Sequence, residues 1–232
     1  MAQITQRIII TKEKEKMDRP TIDNEKLHVT ANRYIYWKGA IEFLISLFLL
    51  VLLSPLLFLI CVSIKCCDWQ APILFKQVRV GKNEQLFLMY KFRTMYPGAD
   101  KQLDDFLDKN EIEGSMFKLK NDPRITKIGR FLRKSSFDEF PQLVNVLRGE
   151  MALIGPRPPL EREVAEYSDR DKIRLTITPG CTGLWQVSGR NELSFHEMVA
   201  LDLYYIDNLT PWLDFKIFMK TIGTVLLPKG AF

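Results

Sequence analysis

Histidine is nearly absent from this 232-residue chain, which has only His28 and His196. That scarcity excludes His-rich zinc sites and most Ser-His-Asp arrangements, so carboxylates and arginines must carry any chemistry. Cysteine is scarce as well. Cys61, Cys66, Cys67 and Cys181 form no C-x-x-C pair, and three of them lie at or beside one apolar run. They read as small apolar residues in a reducing compartment rather than as a disulfide framework. There is no G-x-x-x-x-G-K-[ST] loop and no G-x-G-x-x-G fingerprint, which argues against P-loop and Rossmann nucleotide binding. Basic residues interleave with acids and the aromatics gather near the apolar run, so nucleic acid is a poor partner. The charge excess is modest, 33 Lys and Arg against 28 Asp and Glu, and suits a partner that carries phosphate. With 47% hydrophobic residues the chain can build one domain with a core, but not two large ones.

The strongest physical signal is FLISLFLLVLLSPLLFLICVSI, Phe43 to Ile64, 22 residues without a charge. A helix of that length crosses a hydrocarbon core of about 30 Å. Ser54-Pro55 lies near its middle, where proline removes a backbone donor and divides the run into arms of roughly 18 and 14 Å. Arg33 and Lys38 precede the run, and Lys65, Lys76 and Arg79 follow it. Positive flanks favour the cytoplasmic side. A kinked spanning helix and a hairpin that returns to the same leaflet both satisfy the pattern. Ahead of the run, residues 1–32 hold KEKEK and no sustained periodicity, and read as a polar mobile tail with no secretory signal.

Beyond Asp68 the composition turns globular. Ile73 to Gly81 and Gln85 to Met95 alternate around GKNE and predict paired strands. Helices are predicted over 100–113, 126–134, 140–148, 161–176 and 197–207, with loop or short strand from Pro179 to Arg190. The end, Pro211 to Pro228, predicts a helix that suits either the membrane interface, with Trp212 and Phe215 as anchors, or ordinary core packing.

Asp138 and Glu139 stand next to each other before an apolar helix. Ser136 with Glu139 three residues later reads as a capping box, and acids in a first turn complement the helix dipole. One acid suffices for capping, however, and Arg133, Arg148 and Arg157 are close in sequence. A carboxylate at such a terminus is expected to stay ionised, usable as a nucleophile or a metal ligand beside N–H groups that hold phosphate. In GPRPP, the locked prolines Pro156 and Pro158 present Arg157 from a stiff loop. Lys91 and Arg93 share one face of a predicted strand, and Arg190 closes a glycine-containing loop. These basic groups, Lys91 and Arg93 included, are candidates for substrate phosphate or nucleotide, although as strings alone they also suit a solvated face.

Taken in order, the Ser54-Pro55 run, KFRTM, NDPRITKIGRFLRKSSFDEFPQL, NVLRGEMALIGPRP, PGCTGLWQVSGRN, LDLYYIDN and WLDFKI resemble the bacterial sugar transferases of the monotopic polyprenyl-phosphate phosphoglycosyl transferase superfamily. The resemblance runs from about Tyr34 to Leu226. It implies a predominantly helical α+β monotopic protein. Residues 33–66 would form a re-entrant helix-break-helix, and residues 67–232 a cytoplasmic catalytic domain with a small β-hairpin and interfacial amphipathic helices. The implied site is at the bacterial inner membrane, facing the cytoplasm, in a minimal form lacking the multi-span domain of larger relatives.

The implied reaction moves a sugar-1-phosphate from a UDP-sugar to undecaprenyl phosphate and releases UMP, as a first membrane step of exopolysaccharide, lipopolysaccharide or capsule assembly. By resemblance, Asp138 would form a covalent phosphosugar intermediate, Glu139 would hold Mg²⁺ with Asp214 contributing, and Arg133, Arg157 and Arg190 would surround the phosphates. Cys181 departs from the aliphatic residue usual in the family. The donor sugar, and whether the chain forms a homo-oligomer, stay open. Two other readings are a membrane-tethered scaffold whose acidic pair only caps a helix, and a glycosyltransferase that releases UDP.

Overall fold

A computed structural model describes residues 33–99, 102, 119, 122–189 and 193–226. The predicted tail over 1–32, all of the predicted helix over 100–113 except residue 102, and Arg190 lie outside the described residues.

The apolar run belongs to one long helix, α1 (Arg33–Cys67), with Pro55 inside it. The backbone stays helical through Ser54-Pro55, where a break was expected, and the side chains show why. Pro55 has no N–H to offer the carbonyl of Val51, and the Ser54 hydroxyl donates to that oxygen instead, at 2.8 Å. Serine before proline therefore satisfies the one backbone acceptor that proline orphans in an apolar setting. Leu47, Phe48, Val51, Leu52, Phe58 and Leu59 in the middle of α1 are exposed. Its two flanks are each buried along one face. Lys38, Glu42 and Ser46 are buried on one side of the exposed stretch, and Ile60 and Ile64 on the other.

The predicted hairpin forms, with β1 (Leu74–Val80) antiparallel to β2 (Leu86–Phe92) from Leu74 opposite Phe92 to Val80 opposite Leu86. Helix α2 (Lys127–Ser135) starts at Thr126, whose hydroxyl accepts the Gly129 N–H at 2.9 Å. Gly129 is obligatory there, because the Thr94 carbonyl oxygen lies 1.9 Å from where a Cβ would be. Helix α3 (Gln142–Leu147) follows a single 3₁₀ turn, Phe137–Glu139.

Two departures come next. A short strand, β3 (Ala152–Ile154), pairs in parallel with β4 (Gly180–Thr182), so Ala152 faces Gly180 and Ile154 faces Thr182. β4 falls within the stretch read as loop or short strand, whereas three-residue β3 carries too little alternation to be read, and Gly180 permits an approach in which a Cβ would meet Gly155 N at 2.1 Å. The predicted helix over 161–176 is instead α4 (Glu161–Val164), α5 (Asp169–Lys172) and a 3₁₀ turn, Ile173–Leu175. Ser168 and Asp171 form a capping box that ends one helical piece and starts another.

Helix α6 (Phe195–Asp207) begins at a second capping box, Ser194 with Glu197, two residues before the predicted start. Helix α7 (Pro211–Leu226) follows as predicted. The largest core unites Ile154 of β3, Leu201, Tyr205 and Ile206 of α6 and Ile217 of α7, with Tyr34 and Ile35 of α1 against it. A second core joins Ile60 and Ile64 of α1 to Phe92 of β2 and Leu132 of α2.

Candidate active site

The acidic pair sits on a bend rather than on a helix cap. Ser136 adopts a left-handed conformation, φ +58°, that closes α2, and its side chain caps nothing. The capping-box reading of Ser136 and Glu139 therefore fails: Ser136 is spent on ending the preceding helix. The 3₁₀ turn that follows directs Asp138 inward, 8% exposed, and leaves the Glu139 side chain 42% exposed.

Lys91 of β2 reaches the turn, with Nζ 2.7 Å from Glu139 Oε1. Burial and the adjacent Glu139 charge push the Asp138 carboxyl up, to about 6, and Lys91 and Arg133 oppose the rise. The low value expected from a helix terminus is thus overridden by desolvation, although the group is still mostly anionic at neutral pH. Arg133 is aimed by Thr94 of the KFRTM block, whose Oγ1 accepts from Arg133 Nε at 2.9 Å. Lys91 is placed in turn by the fully buried Asn145. Its Oδ1 accepts the Tyr90 N–H at 3.1 Å and its Nδ2 donates to the Leu88 carbonyl at 2.7 Å.

Residues 33–228 of the chain match the bacterial sugar transferase family. The chain belongs to that family. Among its relatives are the galactosyl transferase CpsE of Streptococcus agalactiae serotype III, 50% identical over 69% of this chain and 36% of that protein, and the undecaprenyl-phosphate galactose phosphotransferase of Salmonella typhimurium, 41% identical over 85% of this chain and 42% of that protein. The exopolysaccharide production protein ExoY of Sinorhizobium fredii is 41% identical over 84% of this chain and 88% of that protein. The chain thus spans about four-tenths of the length of the first two relatives and most of the third.

In this member of the family the other candidate residues divide. Arg157 lies on the loop after β3, between the buried Pro156 and Pro158, with Nη1 3.9 Å from Glu163 Oε1. Arg93, predicted to face phosphate beside Lys91, turns instead onto the end of α1. Its Nη2 lies 3.4 Å from the Ile64 carbonyl, and its Nη1 3.5 Å from Asp68 Oδ2. A guanidinium there complements the last carbonyls of a helix, which is a structural use of the charge.

Asp214, predicted to assist a metal, is also elsewhere. Its Oδ2 accepts from Tyr34 and Lys38, at 2.7 and 2.5 Å, and its Oδ1 lies 2.8 Å from the Tyr205 hydroxyl. Both carboxylate oxygens are already engaged, and among the described residues no group of three or more His, Cys, Asp and Glu converges on one point. An ion that keeps its waters and takes one or two protein carboxylates plus substrate phosphates still suits the exposed Glu139 with Asp138 beside it.

Sequence reading missed Arg79. Its Nη1 donates to the Pro158 carbonyl at 2.9 Å, while Gln77 Oε1 accepts from its Nε and Nη2 at 3.1 and 2.6 Å. Burial pushes this guanidinium down, to about 9, with the Arg157 charge adding to the fall and Glu163 and Glu139 opposing it. Arg79 therefore lies within electrostatic reach of both the proline loop and the acidic turn. Alternation put it on a strand, but its partner was invisible without the fold.

Proposed function

We propose that this chain transfers a hexose-1-phosphate from a UDP-sugar to undecaprenyl phosphate in two displacements at Asp138. An Asp138 carboxylate oxygen attacks the sugar-bearing phosphorus, the bond from that phosphorus to the bridging oxygen breaks, and UMP leaves. A phosphate oxygen of the lipid acceptor then attacks the same phosphorus and Asp138 departs, giving undecaprenyl-diphosphate sugar. Splitting the transfer lets one carboxylate serve a soluble donor and a lipid acceptor in turn. The observation that carries this reading is the pairing of a buried Asp138 with a half-exposed Glu139 on one 3₁₀ turn, opposite Lys91 and Arg133.

Each residue has a part in that scheme. Lys91 and Arg133 keep Asp138 anionic against the cost of burial. Arg157, and Arg190 by family resemblance, neutralise donor phosphates that would otherwise repel the nucleophile. Glu139 would hold Mg²⁺, which when bound withdraws charge from the diphosphate. Asp214 is better read as a positioning group than as a ligand.

A re-entrant placement of α1 completes the reading. Both flanks of its exposed apolar stretch pack on one folded body, Lys38 and Glu42 toward β3 and α7, Ile60 and Ile64 toward β2 and α2. A straight crossing would put those flanks on opposite faces of a bilayer, away from a single soluble domain. A return to the cytoplasmic leaflet keeps them together and sets the site at headgroup height, where an acceptor phosphate lies.

The test combines product identity with trapping. UDP-hexose and undecaprenyl phosphate in detergent should give UMP, and mass spectrometry of enzyme stopped mid-cycle should place a hexose phosphate on Asp138. Release of UDP, or an adduct on another residue, would overturn the proposal. Tags at both chain ends should be reached only from the cytoplasm.

A further inference from the structure

A second cluster of buried charges lies outside the acidic turn. Lys38, Glu42 and Ser46 recur every four residues along one face of α1, all buried. Lys38 Nζ is 2.7 Å from Glu42 Oε1 and 2.5 Å from Asp214 Oδ2. Two carboxyl groups thus share one ammonium in the protein interior. Tyr34 donates a hydrogen bond to this cluster, and the Tyr205 hydroxyl joins it at Asp214 Oδ1.

Desolvating such a cluster costs several kcal/mol per ion, and apolar residues of similar size usually stabilise a fold as well or better. Stability therefore does not account for it. What the cluster holds does. Glu42 Oε1 accepts the Ile154 N–H at 3.1 Å, and the Tyr205 hydroxyl lies 3.1 Å from the Ile154 carbonyl oxygen. The N–H of that residue is held by Glu42, and its carbonyl shares the single Tyr205 O–H with Asp214.

Ile154 opens directly into Gly155, Pro156 and Arg157, and the loop beyond is pinned at each step. Gly155 N–H donates to the Thr182 carbonyl at 2.9 Å, and the Pro156 carbonyl accepts from Gly180 N at 2.8 Å. The Pro158 carbonyl accepts from Arg79, and the Pro159 carbonyl from Val80 N at 3.0 Å. Between Ile154 and Arg157 stand only Gly155, held by Thr182, and Pro156, whose φ is fixed and whose carbonyl is held by Gly180, so Arg157 follows Ile154 closely. Glu42 brings the membrane segment into this lattice of bonds.

We propose that Glu42, held in place by Lys38 and Asp214, is a positioning residue that fixes the Arg157 loop at a set height above the membrane segment. The site is thereby registered with a phosphate anchored in lipid. The inference rests on the two-displacement reading and makes a demand that reading does not. A soluble donor at saturating concentration makes up for a shifted Arg157 at the expense of its own KM, whereas the acceptor phosphate is held at headgroup depth, so the registration governs the second displacement even when donor saturates.

The experiment measures the two half-reactions separately in nanodiscs: the UMP burst from saturating UDP-hexose without acceptor, and lipid product formed from undecaprenyl phosphate. Glu42→Ala should raise the acceptor KM and slow the acceptor step by about tenfold or more while the burst changes by less than about threefold. Glu42→Gln keeps an oxygen for the Ile154 N–H and should hold both steps within about threefold of the parent. Equal losses in both half-reactions, or none in either, overturn the proposal. If Glu42→Ala does not fold, Tyr205→Phe retains the ring without the hydroxyl and should show the same split; equal losses or none there overturn it likewise. Failure of the two-displacement reading is separately visible, as a parent enzyme that gives no UMP burst.

Discussion

Lys91 and Glu139 form an ion pair of 2.7 Å that joins the second strand of the hairpin to the acidic turn. The pair is only partly buried, so its own contribution to stability is small. Its consequence is electrostatic, because the Lys91 charge opposes the forces that raise the Asp138 carboxyl.

Lys91→Met should therefore move the acid limb of the pH–rate profile to higher pH. Asp138 already titrates near 6, and removing the neighbouring cation raises it further. The loss of rate should be larger at pH 6.5 than at pH 8. Glu139→Gln acts in the opposite sense on Asp138, since that charge raises it. A full pH–rate series for both variants checks the two directions together.

Asp138→Asn should abolish turnover and covalent labelling, yet stabilise the fold. The native carboxyl titrates at about 6, against 3.8 for an ordinary aspartate. Between those values the native state binds more protons than the unfolded chain, so stability falls as pH rises through that window, and the charged group is a standing cost at neutral pH. Asparagine removes that cost, for a gain of about 1–2 kcal/mol, or a few degrees in Tm. Thermal melts at pH 7.5 and pH 4.5 decide it: the advantage should shrink at the lower pH.

Gly129→Ala should destabilise strongly. A methyl group there would meet the Thr94 carbonyl oxygen at 1.9 Å, and that atom is backbone, so α2 must move away from the end of the hairpin. Overpacking of this kind costs about 1–3 kcal/mol or more. Because Thr94 also aims Arg133, the variant should lose rate beyond its loss of folded protein. Denaturant unfolding with a parallel activity assay separates the two effects.

Arg79→Ala should leave the hairpin paired but release the Pro158 carbonyl, which is then buried without its donor. The expected outcome is a donor KM raised by about tenfold, with a smaller change in kcat, because Arg157 loses its fixed origin. Equal donor KM values for parent and variant would show that the loop needs no support from β1.

Much of this molecule was legible in the chain. The hairpin, α2, α3, α6 and α7 followed from alternation, helical spacing and caps, and the apolar run announced α1. The two helical pieces and turn at 161–176 were misread as one helix because the Ser168–Asp171 capping box was overlooked, although it stands in the sequence. The short parallel pair β3–β4 was anticipated only as a loop or short strand at β4. Its strands are three residues each, and their pairing depends on glycine-permitted contact between distant segments.

The candidate site divides in the same way. Asp138 and Glu139 were recognisable as neighbours in sequence, and Arg157 as a cation between prolines, since adjacency and proline geometry are local properties. The use of Arg93 and Asp214 was not, because a charged side chain several bonds long can reach any of several partners. Sequence alone determined which of the longer segments become helix or strand, that one of them is apolar enough for a membrane, and which block carries the acids. Only tertiary structure decided that Lys91 meets Glu139 from 48 residues away, that Glu42 reaches Ile154 across 112, and that Lys38 neutralises Asp214 across 176. Those pairings arise when packing of the apolar faces brings distant backbones together, and no periodicity along a single segment encodes them.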